Sequence, residues 1–167
     1  MVATRAEARC FADKVRDYGL VPGVMIEVPA AALRCQDILQ EVDFVSIGTN
    51  DLSQYTMAAD RLSPDLARLC DPWQPAVLEL VGHIASVGLA AEKHVGVCGE
   101  AAADPLLAIV LVGLGVSSLS AAPQALPAVG SVLSKVDAAI CRQAAHEALQ
   151  AEDGAHARKA AHQVVYG

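Results

Sequence analysis

The sequence has 167 residues, of which 54% are hydrophobic and 19% are charged, and its formal net charge at pH 7 is −7. This length and composition predict one folded domain with a sizeable core and exclude an intrinsically disordered chain. The negative charge argues against nucleic acid as a partner, and no apolar run reaches the ~18 residues that suggest a membrane span. Any anionic ligand must therefore be attracted by a few local groups.

The cysteines and the first residues indicate the compartment. The five cysteines are an odd number without Cys-x-x-Cys spacing, which favours neither a disulfide framework nor a zinc site. The first seven residues lack the apolar segment of a signal peptide. We therefore expect a reducing, cytoplasmic environment.

Hydrophobic periodicity predicts strands that alternate with helices. The predicted strands are continuous apolar runs, a pattern typical of a parallel sheet covered by helices. In chain order we predict helix 3–18, strand 23–28, helix 30–40, strand 43–47, a helical turn from 52, helix 75–91, strand 94–98, helix 105–113, strand 116–119 and helices 124–134 and 137–151.

The predicted fold class is therefore α/β with parallel βα units. Four such units suit either a small open sheet or half of an eight-fold barrel, because a full barrel usually needs ~250 residues. Residues 1–152 form the predicted domain. Residues 153–167, rich in Ala, Lys and His, are predicted to be a frayed tail.

The second predicted strand leads into the most informative segment. It ends at Gly48, and an amide and a carboxylate, Asn50 and Asp51, follow near the expected start of a helix. Helix starts attract anions, so a carboxylate beside one suggests an intervening cation, most simply Mg²⁺. Arg61, ten residues later, has the planar donors to return to the same anion. Without further context, a turn followed by a helix cap is the better explanation of Asn50 and Asp51.

Two further side chains share this expected position. Glu27 lies at the end of the first strand and Cys98 at the end of the third. Glu27 and Asp51 together suit a two-carboxylate Mg²⁺ site, although Glu27 also fits a solvated strand end. Cys98 taken alone is more typical of a small buried hydrophobe. All of these residues lie at carboxyl ends of strands, which form the functional face of a parallel barrel.

Three segments carry a resemblance to a known family: 23–31, 47–61 (Ile-Gly-Thr-Asn-Asp-Leu-Ser-Gln-Tyr-Thr, then Ala-Ala-Asp-Arg) and 95–100 (Val-Gly-Val-Cys-Gly-Glu). They resemble the phosphoenolpyruvate (PEP)-binding domain of enzyme I, the PEP–protein phosphotransferase of the bacterial sugar phosphotransferase system. The resemblance covers roughly positions 5 to 140. It implies that the four units are strands five to eight of a TIM-type (β/α)8 barrel.

The resemblance also implies roles. Glu27 and Asp51 match the Mg²⁺ ligands, Asn50 and Arg61 match groups that bind the phosphate of PEP, and Asp51 is thereby also part of the substrate site. Cys98 matches the proton donor that completes pyruvate. No histidine of this chain has the family's phospho-acceptor context, so we expect the chain alone not to transfer phosphate to the phosphocarrier protein. A homodimer is implied as well.

Two alternatives stay open. Pyruvate phosphate dikinase and PEP synthase also resemble this sequence. A half barrel could instead serve as a non-catalytic dimerisation module, since its two unpaired strand edges favour association.

Overall fold

The computed structural model describes residues 1–167 and contains one four-stranded parallel sheet in the order β1-β2-β3-β4. The strands are β1 (Gly23–Ile26), β2 (Phe44–Gly48), β3 (His94–Cys98) and β4 (Ser118–Ser120). Each new strand joins the same edge of the sheet. Because parallel crossovers are right-handed, this order places the connecting helices on one face. The predicted α/β fold with parallel units is confirmed, and the sheet is open, as expected of a partial TIM-type barrel.

The structure has ten helices, and two 3-10 turns lie at Pro64–Leu66 and Pro123–Ala125. None of them is long and apolar enough to cross a membrane. The helices are α1 (Arg5–Arg16), α2 (Pro29–Leu33), α3 (Cys35–Leu39), α4 (Thr49–Thr56), α5 (Pro75–Ala90), α6 (Glu100–Ala103), α7 (Pro105–Gly113), α8 (Leu126–Leu133), α9 (Ala138–Leu149) and α10 (Gly154–Tyr166).

Two predicted helices differ most from the structure, and the other helix boundaries differ by at most two residues. The single helix expected over 30–40 is divided into α2 and α3, because Arg34 leaves the helical region with φ −109° and ψ 22°. Helix α4 begins at Thr49, three residues before the predicted start at Leu52. Asn50 and Asp51 are consequently in its first turn.

The prediction of a frayed tail over 153–167 was wrong, because residues 154–166 form α10. The Asp153 carboxylate caps this helix by accepting a hydrogen bond from the backbone N–H of His156 at 2.9 Å. Ala157 and Ala161 are fully buried, and α10 packs against α9, in which Ala144, Ala145 and Ala148 are buried. Small side chains on both helices allow this close packing, so the alanines that suggested fraying form an interface instead.

The two faces of the sheet differ in burial. Residues under the helices are buried, as Val45 and Ile47 illustrate, whereas Met25 and Phe44 on the other face are each 39% exposed. Burial therefore alternates along these strands, although apolar residues such as Met25 and Phe44 stand on the open face as well. In a closed barrel the open face would be the interior.

Helix α1 is held to the rest of the fold by a pair of arginines. Arg5 and Arg9 both donate hydrogen bonds to the carboxylate of Glu41, which follows α3. These donors lower the pKa of Glu41 from 4.5 to about 2. On the adjoining face of α1, Ala8 and Ala12 are fully buried.

We expect Glu41 to make the stability of the protein acid-sensitive. A carboxylate with a lowered pKa stabilises the folded state above its unfolded pKa of 4.5, and this contribution is lost as the pH falls towards 2. In Glu41→Gln the loss of stability between pH 5 and pH 2 should be smaller than in the wild type. Urea denaturation across this range measures the difference, and parallel curves for the two proteins would contradict the prediction. The Glu7 and Asp153 carboxylates also have lowered pKa values, so some acid sensitivity should persist.

Two helical glycines should respond to alanine with opposite signs. A Cβ at Gly113 would lie 2.0 Å from the carbonyl oxygen of Cys141 in α9, so α7 and α9 would have to separate. We expect Gly113→Ala to lower the free energy of unfolding by about 2–3 kcal/mol. Gly130 in α8 has open space around it, so Gly130→Ala should raise that energy by about 0.5–1 kcal/mol. Chemical denaturation measures both changes. Equal changes in the free energy of unfolding in the two variants would show that the space around each glycine does not determine the effect.

Candidate functional site

The sheet register brings the predicted residues to one edge. Ile26 pairs with Ile47 and Gly48 pairs with Cys98, so the carboxyl ends of β1, β2 and β3 are aligned. Glu27 follows β1 directly, and Cys98 is the last residue of β3. Asn50 and Asp51 lie just after β2. Residues far apart in the sequence thus meet where ligands bind in parallel α/β folds.

The carboxylate of Glu27 lies against Gly48. A Cβ built on Gly48 would be only 2.7 Å from Glu27 Oε1 and 2.9 Å from Glu27 Cγ. The missing side chain of Gly48 therefore provides the space that the carboxylate occupies. Gly48 is also the N-cap of α4, and Asp51 lies in the first turn of this helix. The carboxylates of Glu27 and Asp51 therefore both lie near the start of α4.

The start of α4 has unsatisfied polar groups. Gly48 offers no side-chain acceptor to the first N–H groups, which keep the partial positive charge of a helix N-terminus. The hydroxyl of Thr49 has no hydrogen-bond partner although the residue is 98% buried, and the hydroxyls of Ser53 and Thr56 are also unpaired. These three residues recur at helical spacing, so one face of α4 carries a buried polar stripe.

Asn50 faces the loop after β3. Its Nδ2 is the nearest atom to a Cβ built on Gly99, at 3.9 Å, and Gly99 has a φ of +88° that favours glycine. The amide of Asn50 therefore lies close to the segment that follows Cys98.

Arg61 approaches Asp51, but the contact between them is long. Arg61 Nη1 lies 4.0 Å from Asp51 Oδ1, and the two side chains are 47% and 31% exposed. At this distance and exposure the pair contributes little to stability. Both groups therefore keep hydrogen-bonding capacity for a charged ligand.

Gln54 was not singled out from the sequence, yet it anchors the arginine. Its Oε1 accepts a hydrogen bond from the backbone N–H of Arg61 at 3.4 Å, and its carbonyl oxygen accepts one from Ala59 at 3.0 Å. Between them Ala58 adopts a left-handed backbone with φ +50°. The spacing of Gln54 from Asn50, one helical turn, is the signal that could have identified it.

Cys98 differs from the buried cysteines. Its Sγ lies 3.5 Å from the carbonyl oxygen of Ile47, a weak contact, and the residue is only partly buried. Burial raises the pKa of the Cys35 and Cys141 thiols, which belong to the core, as expected of packing residues. Cys98 is thus the cysteine that ends a strand at the edge shared with Glu27 and Asp51.

No histidine lies at this edge. His94 is the histidine of the sheet, but it begins β3, where its Nε2 is 3.0 Å from Ser118 Oγ. Cys98 is four residues further along this strand, which corresponds to about 13 Å. The chain also has no cluster of three or more His, Cys, Asp or Glu side chains that could hold a metal.

A comparison with known protein families covers the strands and helices that carry this site. Residues 3–138 match the family described as the PEP-binding domain of PEP-utilising enzymes. The chain belongs to this enzyme family.

Particular relatives narrow the match. The chain is 54% identical over 169 residues to the phosphoenolpyruvate-protein phosphotransferase of Streptomyces coelicolor, covering all of this chain and 30% of that protein. It is 45% identical over 127 residues to the phosphoenolpyruvate synthase of Pyrococcus furiosus, covering 72% of this chain and 16% of the relative. The multiphosphoryl transfer protein of Xanthomonas campestris is 43% identical over 136 residues, 81% of this chain and 16% of the relative. The chain thus spans less than a third of each of these proteins.

Proposed function

We propose that this chain is part of a PEP–protein phosphotransferase, the enzyme that moves the phosphoryl group of PEP to a histidine and on to a phosphocarrier protein. The observation that carries the proposal is the convergence of Glu27, Asp51 and Arg61 at the start of α4. Identity over the full chain favours a phosphotransferase over PEP synthase, which matches 72% of it. The homodimer and the cytoplasmic location predicted from the sequence belong to this proposal.

Glu27 and Asp51 suit Mg²⁺. Magnesium is usually held by one or two carboxylates together with waters and substrate phosphate oxygens. The space that Gly48 leaves for Glu27, next to the helix that carries Asp51, fits such a pair. Bound there, Mg²⁺ would neutralise the negative charge of PEP and act as a Lewis acid towards its oxygens.

The other groups would hold the phosphoryl group. The N–H groups at the start of α4 and the amide of Asn50 are donors for phosphate oxygens. Arg61 adds a planar, permanently charged fork, which suits the charge spread over the phosphoryl oxygens during transfer. These groups are positioned before the reaction, so they act mainly by electrostatic stabilisation.

Cys98 would deliver a proton. When the phosphoryl group leaves PEP, the enolate of pyruvate remains and must gain a proton at carbon three. A thiol at the edge of the site can provide this proton as a general acid. The acceptor histidine would lie outside this chain, since no histidine stands at the carboxyl edge of the sheet.

We expect the chain to bind PEP only with Mg²⁺. Asp51→Asn removes a carboxylate charge at the start of α4 and should reduce the affinity at least about ten-fold. Asp65→Asn, which changes an exposed acid in the segment after α4, is the matched control and should bind like the wild type. Isothermal titration calorimetry with and without Mg²⁺ measures both. Metal-independent binding, or equal loss in the two variants, would contradict the proposed site.

The role of Cys98 can be tested without an acceptor histidine. Proton donation in reverse removes a proton from the methyl group of pyruvate, so the chain with Mg²⁺ should exchange these protons with D₂O. Cys98→Ala should slow this exchange about 10²-fold or more, whereas Cys10→Ala, which changes an exposed cysteine of α1, should not change it. Proton NMR follows the methyl signal. Exchange that persists in Cys98→Ala, or is absent in the wild type, would refute the assignment.

A further inference from the structure

Three separate parts of the chain meet at a cluster that the proposed chemistry does not use. Trp73 is the only tryptophan, is 1% exposed, and donates a hydrogen bond from its Nε1 to Asp104 Oδ2 at 3.2 Å. Arg158 of α10 forms an ion pair with the same oxygen, its Nη1 lying 3.1 Å away, and its guanidinium carbon is 5.6 Å from the centre of the Trp73 ring. We refer to Trp73, Asp104 and Arg158 as the tryptophan clamp.

The carboxylate of Asp104 is fully engaged. Its Oδ1 caps α7 by accepting hydrogen bonds from the N–H groups of Leu106 at 3.0 Å and Leu107 at 3.3 Å. Its Oδ2 accepts the hydrogen bond from the indole N–H of Trp73 and forms the ion pair with the guanidinium of Arg158. Asp104 therefore joins the start of α7, the C-terminal helix and the tryptophan in one place, and a hydrogen bond to a charged acceptor is stronger than a neutral one.

The clamp lies at the end of the segment that carries Arg61. Residues 57–74, which we call the Arg61 segment, connect α4 to α5. Their regular structure is one short 3-10 turn. At its start the segment is tied to Gln54 of α4. At its end Trp73 is buried in the clamp, and the backbone of Gly154 in α10 packs beside Trp73 and Gln74.

Internal hydrogen bonds connect these two ends. Gln74 Nε2 donates to the carbonyl oxygen of Arg68 at 3.0 Å, and Cys70 Sγ donates to that of Ala59 at 3.4 Å. A chain of contacts thus runs from Trp73 through the segment to the residues beside Arg61. A long connection with so little regular structure depends on anchors of this kind to keep one conformation.

We propose that Arg158 is a positioning residue for Arg61: the tryptophan clamp fixes the Arg61 segment, so that α10 controls the placement of the arginine over Asp51. The proposal assigns α10, which contributes no residue to the site, a role in assembling it. The segment's conformation can be measured without any ligand, but the consequence for PEP rests on the proposed function.

The first test uses the ligand-free chain and trypsin. Arg61 and Arg68 are exposed cleavage sites within the segment. Cleavage after Lys93, whose Nζ donates to the carbonyl oxygens of Leu39 and Val42, reports general opening of the fold. We expect Arg158→Ala to accelerate cleavage after Arg61 and Arg68 about ten-fold relative to cleavage after Lys93, because local opening governs such rates. Mass spectrometry identifies the fragments.

Matched variants separate the clamp from the charge. Lys159 is next to Arg158 in α10 but makes no ion pair. The Lys159→Ala variant loses one positive charge and should be cleaved by trypsin at the same rates as the wild type. Arg158→Lys keeps the charge but loses the planar group over the indole, and should give an intermediate rate. An unchanged ratio in Arg158→Ala, or an equal rise at Lys93, would overturn the proposal.

The second test adds PEP and Mg²⁺. The fluorescence emission of Trp73 reports on the tryptophan clamp directly. Because coupling between two sites is reciprocal, a ligand at the candidate site should also affect the clamp. We expect the ligand to change this emission in the wild type, and Arg158→Ala to weaken binding about ten-fold while Lys159→Ala does not. Wild-type affinity in Arg158→Ala would overturn the link to Arg61. Absence of binding in the wild type, with faster cleavage in Arg158→Ala, would refute the proposed function and still support the clamp.

Discussion

The handedness of three crossovers is the constraint on which this structure depends. Each strand of the sheet joins the edge left by the previous one, and right-handed connections then place the helices together on one face. All four strands run in the same direction, so their carboxyl ends lie together at one end of the sheet. Glu27, Asp51 and Cys98 converge because they follow strands in this sheet. The opposite face remains open, with Met25 and Phe44 partly exposed.

The fold class and several elements could be predicted because their signals are local. Strand β3 and helix α7 have the predicted bounds, since Asp104 caps the helix and Pro105 suits its first position. Other boundaries depend on packing. Neither Gly nor Pro marks the break at Arg34, and the alanines of α10 become an interface only when α9 lies beside them. Local propensity therefore suggested one long helix in the first case and a frayed end in the second.

The residues of the candidate site were chosen from strand ends and from a family resemblance, and the structure places them together. Their contacts could not be derived in that way. The position of Glu27 against Gly48 depends on the register between β1 and β2, and the return of Arg61 depends on the path of the segment after α4. Trp73 and Asp104 are 31 positions apart, and no sequence pattern marks their partner Arg158. Such contacts follow only from the complete fold.

The open face of the sheet has a consequence for how this protein can evolve. Glycines on this face stand beside larger neighbours: Gly23 lies under the ring of Phe44, Gly96 beside Ser118, and Gly48 beside Glu27. A Cβ at any of these glycines would lie within 3 Å of a neighbouring side chain, so a larger residue there requires that neighbour to move or to change. Substitution of Gly48 is thus coupled to the acidic residue of the candidate site, while the solvent-facing sides of the helices stay free to vary. Lineages that diverge in surface sequence would inherit the same shape at this edge.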